Sequence, residues 1–138
     1  MRSTVSIFIL NRFTTVSFFQ LAQRKILTLY LALKYGTLSD IVTVSDNAVA
    51  VPSDSSVAGL RSGVQLTLED LLYGLMLPSG NDSAVAIAEH ISGSVDAFVE
   101  LMNKEANALG ATNSHFVNPH GYHDENHYTT AYDLYLSF

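Results

Sequence analysis

The residues whose side chains could take part in catalysis or binding lie in two places. The first is a short polar turn that contains Ser79 and Asn81. Pro78 cannot continue a helix, Gly80 permits a tight backbone path, and Asn81 or Asp82 can cap a following helix. Apolar residues recur at three- and four-residue spacing on both sides, which predicts one helix before the turn and one after it. They are Leu68, Leu71, Leu72, Leu75 and Met76 upstream, and Ala84, Val85, Ala88 and Ile91 downstream. Taken alone, such a turn is most often an ordinary helix-to-helix connection.

The second place is a group of four histidines near the C-terminus, whose imidazoles could bind a metal ion together with Asp124 and Glu125. They are His115, His120, His123 and His127. Their spacing does not match the helical pattern in which two histidines four residues apart face one metal. We therefore predict no metal site and no cofactor, and we interpret these histidines as loop residues.

Several further elements can be assigned from the sequence. The segment 25–35 is apolar almost all round, which predicts a buried helix, and Gly36 is expected to end it in a left-handed conformation. Two short β-like runs, 42–45 and 64–67, could pair across a polar loop at 46–63.

Caps set the expected limits of the later helices. Thr67 and Asp70 form a capping-box pattern before a helix over 68–77. A helix over 82–92 is expected to stop at Gly93, and Ser94 to cap a last long helix that ends at Gly110. The apolar stripe of that last helix comprises Val95, Phe98, Met102, Ala106 and Leu109. A final short helix is predicted from Thr130.

Composition limits the class of protein. The chain has 138 residues, enough for one modest domain, and a net charge of −6. Five of its seven basic residues fall within the first 34 positions, and all thirteen acidic residues follow them. The acidic body argues against nucleic acid as a partner. The absence of cysteine excludes disulfides and thiolate metal sites.

The N-terminal segment 1–24 differs from the rest of the chain. Its apolar run behind Arg2 is short and has no clear cleavage site, so it does not predict a convincing signal peptide. No stretch approaches the roughly 20 apolar residues that a membrane span needs. We assign this segment no regular structure.

Three stretches resemble the serine D-alanyl-D-alanine carboxypeptidases, which are low-molecular-weight penicillin-binding proteins of the β-lactamase-like fold. The stretches are 67–82 around the Ser79 turn, 116–121 with the sequence Phe-Val-Asn-Pro-His-Gly, and 127–133. They occur in the family's order, so the resemblance covers about 25–138 as a partial domain. It implies the mainly α half of an α/β fold with a short β-hairpin, from which the main antiparallel sheet is largely missing.

The resemblance also implies a mechanism built on three motifs, Ser-x-x-Lys, Ser-x-Asn and Lys-Thr-Gly. In that family the first serine attacks the carbonyl of the penultimate D-alanine of a peptidoglycan stem peptide, and water hydrolyses the acyl-enzyme. Lys25 matches the lysine that acts as base. Ser79 and Asn81 match the second motif, whose serine relays a proton to the leaving amine and whose amide orients substrate and lysine.

The chain departs from this pattern at the nucleophile, because Ala22 stands where the first serine is expected. An alanine methyl cannot attack a carbonyl, and losing a nucleophile commonly removes several orders of magnitude in rate. The sequence also ends at Phe138 before any Lys-Thr-Gly motif. We therefore expect a truncated or frame-disrupted member whose residues 1–24 have another origin.

Three functional hypotheses follow: a serine carboxypeptidase of the cell wall, a non-catalytic protein that binds peptidoglycan or a partner enzyme, and a non-functional gene fragment. The family acts outside the cytoplasm at the cell envelope. β-Lactams are expected to bind covalently only if a serine can be acylated. An apolar face left without its covering sheet predicts self-association.

Overall fold

Helices make up most of the described part of the chain, in agreement with the spacing of its apolar residues. The computed structural model describes residues 14–110 and 115–119, with side chains from Lys25 onward. In chain order the elements are α1 (Thr14–Tyr35), β1 (Ile41–Thr43), α2 (Asp46–Val49), β2 (Gln65–Thr67), α3 (Leu68–Met76), α4 (Asn81–Ser92) and α5 (Val95–Ala108). The predicted mainly α architecture with a short β-hairpin is confirmed, and this hairpin is the one sheet within the described ranges.

α4 is the central element, and its first eight residues are all buried. The small side chains of Ala84, Ala86 and Ala88 let neighbouring elements approach closely. α1, α3 and α5 pack around it, and α2 and β1 contact it as well. Any group at the start of α4 is therefore held by most of the fold.

Two apolar clusters stabilise this arrangement. The larger one lies between α1, α3, α4 and the hairpin, and Leu68, Leu71, Leu75 and Ile87 are fully buried in it. The smaller one joins the inner face of α1 to α5 through Leu31, Phe98 and Met102, together with Phe116. α1 contributes to both clusters and so connects the two halves of the core.

The hairpin leads directly into α3. β1 and β2 are antiparallel, with Ile41 opposite Thr67 and Thr43 opposite Gln65. Thr67 then caps α3: its side chain accepts a hydrogen bond from the Asp70 backbone N–H, and the Asp70 carboxylate accepts one from Thr67. The predicted capping box is confirmed, and it fixes the angle at which the chain enters α3.

Two predicted helix caps are wrong. α1 ends just before Gly36, as predicted, but Gly36 is not left-handed, whereas Gly93 and Gly110 are. A Cβ at Gly36 would lie 2.6 Å from Leu68 Cδ2 and 2.8 Å from Ile91 Cδ1, so this glycine permits close packing rather than a turn. The cap of α4 is Gly80, not Asn81 or Asp82, and it provides no side-chain hydrogen bond.

The extent and exposure of several elements also differ from expectation. α1 begins at Thr14 rather than near Lys25, and α2 interrupts the predicted loop at 46–63.

α1 was expected to be buried almost all round, but Tyr30, Leu33 and Tyr35 are between 41% and 54% exposed. Met76 and Leu109 are likewise exposed instead of joining their apolar stripes. The predicted helix from Thr130 lies outside the described residues.

Across the part of the chain that the structure describes, no helix combines the length and apolar character that crossing a bilayer requires.

Candidate functional site

Lys25, Ser79 and Asn81 meet in one cluster, although more than fifty residues separate the lysine from the other two along the chain. The Lys25 ammonium donates a hydrogen bond to the Ser79 carbonyl oxygen. It donates a second one to Asn81 Oδ1 over 3.2 Å. α1 supplies the lysine, and the turn between α3 and α4 supplies its two partners. The structure thus brings together the three residues that the sequence singled out, with Ser79 contributing its backbone carbonyl.

Ser79 has an unusual backbone conformation. Its φ of 59° is left-handed, and among the described non-glycine residues it is the one with a positive φ. A non-glycine residue pays about 1 kcal/mol or more for this conformation, so it persists only where its surroundings enforce it. Here the conformation allows the Ser79 carbonyl to face Lys25 between the end of α3 and the start of α4. Such strained residues are common in functional sites.

The environment of Lys25 favours its neutral form. The residue is 7% exposed, and burial lowers the pKa of its amine to about 8, partly opposed by the negative charge of Asp82. At pH 7 roughly a tenth of such an amine is unprotonated, far more than for a lysine in water. A neutral amine can accept a proton from a nearby hydroxyl, which makes Lys25 chemically suited to act as a base.

Asp82 belongs to the same cluster, and the sequence analysis gave it only a capping role. Its carboxylate accepts hydrogen bonds from three consecutive backbone N–H groups, those of Ala58, Gly59 and Leu60, over 2.8 to 3.1 Å. The Asn81 N–H also donates to the Ser56 carbonyl over 2.8 Å. The 56–60 segment is therefore tied to the start of α4 directly behind the Ser79 turn. No sequence periodicity marks such a contact, because its donors are backbone groups.

A third segment, residues 115–119, approaches α1 next to the lysine. Thr28, one helical turn after Lys25, donates a hydrogen bond from Oγ1 to the Pro119 carbonyl over 2.9 Å. Asn103 on α5 donates to the Phe116 carbonyl and accepts from the Phe116 N–H, over 2.9 and 2.8 Å. The Asn103 side chain thus pairs with both backbone groups of Phe116, as a neighbouring strand would, and fixes the segment between α1 and α5.

The remaining predicted site residues are placed as follows. Ala22 lies in α1 three positions before Lys25, about one helical turn away. Of the four histidines, His115 is described, whereas His120, His123 and His127 lie outside the described residues. Within the described ranges, no three His, Asp or Glu side chains lie close enough to hold a metal ion. The absence of a metal site therefore stays a prediction for the whole histidine group.

The fold and this cluster agree with the class of protein found by sequence comparison. The family model of the D-alanyl-D-alanine carboxypeptidases, peptidase family S11, matches residues 22–136. Because that match covers most of the chain, this protein belongs to the D-alanyl-D-alanine carboxypeptidase family.

Individual relatives show the same similarity. The D-alanyl-D-alanine carboxypeptidase DacF of Bacillus subtilis is 43% identical over 97 residues, which cover 70% of this chain and 24% of the relative. For DacA of Escherichia coli K12 the identity is 40% over 121 residues, which cover 81% of this chain and 30% of the relative. The crystal structure of penicillin-binding protein 5 from Haemophilus influenzae superposes with a TM-score of 0.78 and 40% identity. It covers 86% of this chain, which spans 36% of that structure. The chain thus spans about a quarter to a third of these curated relatives.

Proposed function

We propose that this chain carries the lysine and second-motif part of a serine D-alanyl-D-alanine carboxypeptidase site, which recognises peptidoglycan stem peptides that end in D-Ala-D-Ala. We further propose that the chain forms no acyl-enzyme itself. The observation that carries the proposal is the cluster of Lys25, Ser79 and Asn81, with Ala22 one turn before the lysine.

The chemistry of the cluster supports the recognition part. A peptide that approaches the turn meets the Asn81 carboxamide, which can donate to a backbone carbonyl while its oxygen accepts from Lys25. The Lys25 ammonium also places a positive charge where the terminal carboxylate of a stem peptide could be attracted. Ser79 and Lys25 together provide a hydroxyl and an amine of lowered pKa, the two groups needed to pass a proton to a leaving amine.

The absence of acylation follows from Ala22. A covalent intermediate needs an oxygen or sulfur nucleophile beside the base, and the position one turn before Lys25 has only a methyl group. Neither Ser79 nor Lys25 replaces it in this proposal, because both serve proton transfer. The chain therefore binds the peptide without cleaving it.

A peptide titration tests the proposal. An acetylated tripeptide Lys-D-Ala-D-Ala, added to the ¹⁵N-labelled chain, is expected to shift the amide signals of residues 79–82 and to release no D-alanine. The L-Ala-L-Ala peptide is the matched control and is expected to leave those signals in place. Equal shifts with both peptides, or none with either, would contradict specific recognition, and D-alanine release would contradict the lack of catalysis.

Two further expectations belong to this proposal. The named relatives include penicillin-binding proteins, which supports a location in the cell envelope. The exposed apolar residues of α1, Tyr30 and Leu33 among them, support self-association of the chain when nothing else covers that helix.

A further inference from the structure

Asp82 is a buried carboxylate whose hydrogen bonds point away from its own helix. It is 2% exposed and lies in the first turn of α4, but it does not cap that helix, since Gly80 is the N-cap. Apart from a bond from the adjacent Ser83 N–H, its oxygens accept from a segment that precedes it by more than twenty residues. A carboxylate loses much solvation energy on burial, so its position requires such partners.

The partners form a compact clamp. Oδ1 accepts from the Ala58 N–H over 2.8 Å, and Oδ2 accepts from the Gly59 and Leu60 N–H groups over 3.1 and 3.0 Å. Hydrogen bonds to a charged acceptor are stronger than those between neutral groups. Three of them in succession fix the path of the 58–60 backbone relative to α4.

The clamp leaves no room for a side chain at the middle of the Ser79 turn. A Cβ at Gly80 would lie 2.8 Å from Asp82 Oδ1 and 2.9 Å from the Ala58 nitrogen. The Gly80 N–H meanwhile donates to the Gly74 carbonyl, and the Asn81 N–H donates to the Ser56 carbonyl. The backbone of the turn is therefore held on one side by α3 and on the other by the segment that Asp82 binds.

We propose that Asp82 is a positioning residue, which ties the 56–60 segment to the start of α4 and so fixes Ser79 and Asn81 beside Lys25. Asp82 acts through the backbone of the turn and, by its negative charge, on Lys25; it contacts no substrate in this proposal. The contacts stand on the structure alone, and only their use in peptide recognition rests on the proposed function.

The test compares Asp82→Asn with Asp70→Asn in the full chain. Both replacements remove a carboxylate from the first turn of a helix, but Asp70 is exposed and serves only the capping box of α3. In Asp82→Asn, amide hydrogen exchange at residues 58–60 is expected to become about tenfold faster or more, as the charge-assisted bonds are lost. The NMR titration of the Lys25 side chain is expected to move to lower pH, because a neighbouring negative charge has been removed.

The Lys25 titration separates positioning from a merely structural role, which would not move it. Unchanged exchange at 58–60 and an unchanged Lys25 titration in Asp82→Asn would overturn the proposal, as would the same changes in Asp70→Asn. Should Asp82→Asn not fold, couplings through the hydrogen bonds, between the ¹⁵N nuclei of residues 58–60 and Asp82 ¹³Cγ, can be measured in the unchanged chain. Their presence supports the clamp and their absence overturns it. None of these measurements uses a peptide, so a failure of the proposed function would be seen separately.

Discussion

At the scale of single residues, the lowered pKa of the Lys25 amine matters most for the chemistry of the cluster. Burial favours the neutral amine, and the negative charge of Asp82 favours the ammonium. Burial is the larger effect, since the pKa falls from 10.5 to about 8. Lys25 is thus held near the point where it can both bind and release a proton close to neutral pH.

The lowered pKa of Lys25 predicts a pH-dependent stability. Between pH 8 and 10.5 the unfolded chain keeps the Lys25 proton that the folded chain has lost, so the free energy of unfolding rises with pH in this window. The rise is at most about 3 kcal/mol, because the pKa falls from 10.5 to about 8 and each pKa unit corresponds to ~1.4 kcal/mol.

Urea unfolding of the chain and of Lys25→Met across this pH range measures the effect. The variant is expected to lack the rise, and the difference between the two curves removes contributions from other titrating groups. Two parallel curves would mean that the pKa of Lys25 is not lowered in the folded state.

At the scale of elements, the site depends on segments that reach it from distant parts of the chain. α1 brings Lys25, and the turn before α4 brings Ser79 and Asn81. The segment 115–119 is anchored beside them by Thr28 and Asn103. α4 supports all of these segments because its first two turns are buried on every side.

The contact of Asn103 with the 115–119 segment can be tested by a single replacement. Asn103→Ala removes two hydrogen bonds to Phe116 and one to the Val99 carbonyl, and we expect a loss of about 1–3 kcal/mol in the free energy of unfolding. Chemical denaturation measures it, with Asn107→Ala on the exposed side of α5 as control. Equal effects of the two replacements would show that the hydrogen bonds between Asn103 and Phe116 make no specific contribution to stability.

Much of the element order could be predicted from the sequence, because apolar spacing and caps are local signals. The Thr67 and Asp70 capping box, the Ser94 cap and the Gly93 stop all follow from short patterns. Gly36 was misinterpreted because its role depends on Leu68 and Ile91, which are distant in sequence. The Asp82 clamp was missed for the same reason, since backbone donors carry no side-chain signature. Resemblance to a family singled out Lys25, Ser79 and Asn81 in the sequence. Only the structure shows that they are in contact.

At the scale of the whole molecule, α1 leaves large apolar side chains exposed to solvent. Tyr30 and Leu33, which form the outer face of α1, are 41% and 54% exposed. The curated relatives are three to four times as long as the segment matched here, with 24% and 30% of DacF and DacA covered. The separate origin of residues 1–24 stays a prediction.

The outer face of α1 predicts self-association. Leu33→Lys is expected to lower the association of the chain, since it places a charge in the middle of that face without disturbing the core. Sedimentation velocity over a range of concentrations measures the change. Val64→Lys, at an exposed apolar residue next to the hairpin, adds the same charge elsewhere. If both variants reduce association equally, net charge rather than the α1 face is responsible.

The central claim, that the cluster belongs to a serine carboxypeptidase site whose nucleophile position is Ala22, is tested most directly with a fluorescent penicillin. The unchanged chain is expected to show no label that survives denaturation, because Ala22 replaces the serine expected one helical turn before Lys25. Ala22→Ser is expected to gain a covalent label, and the neighbouring replacement Gln23→Ser is expected to remain unlabelled. A denaturation-resistant label on the unchanged chain, or none on Ala22→Ser, would contradict the account.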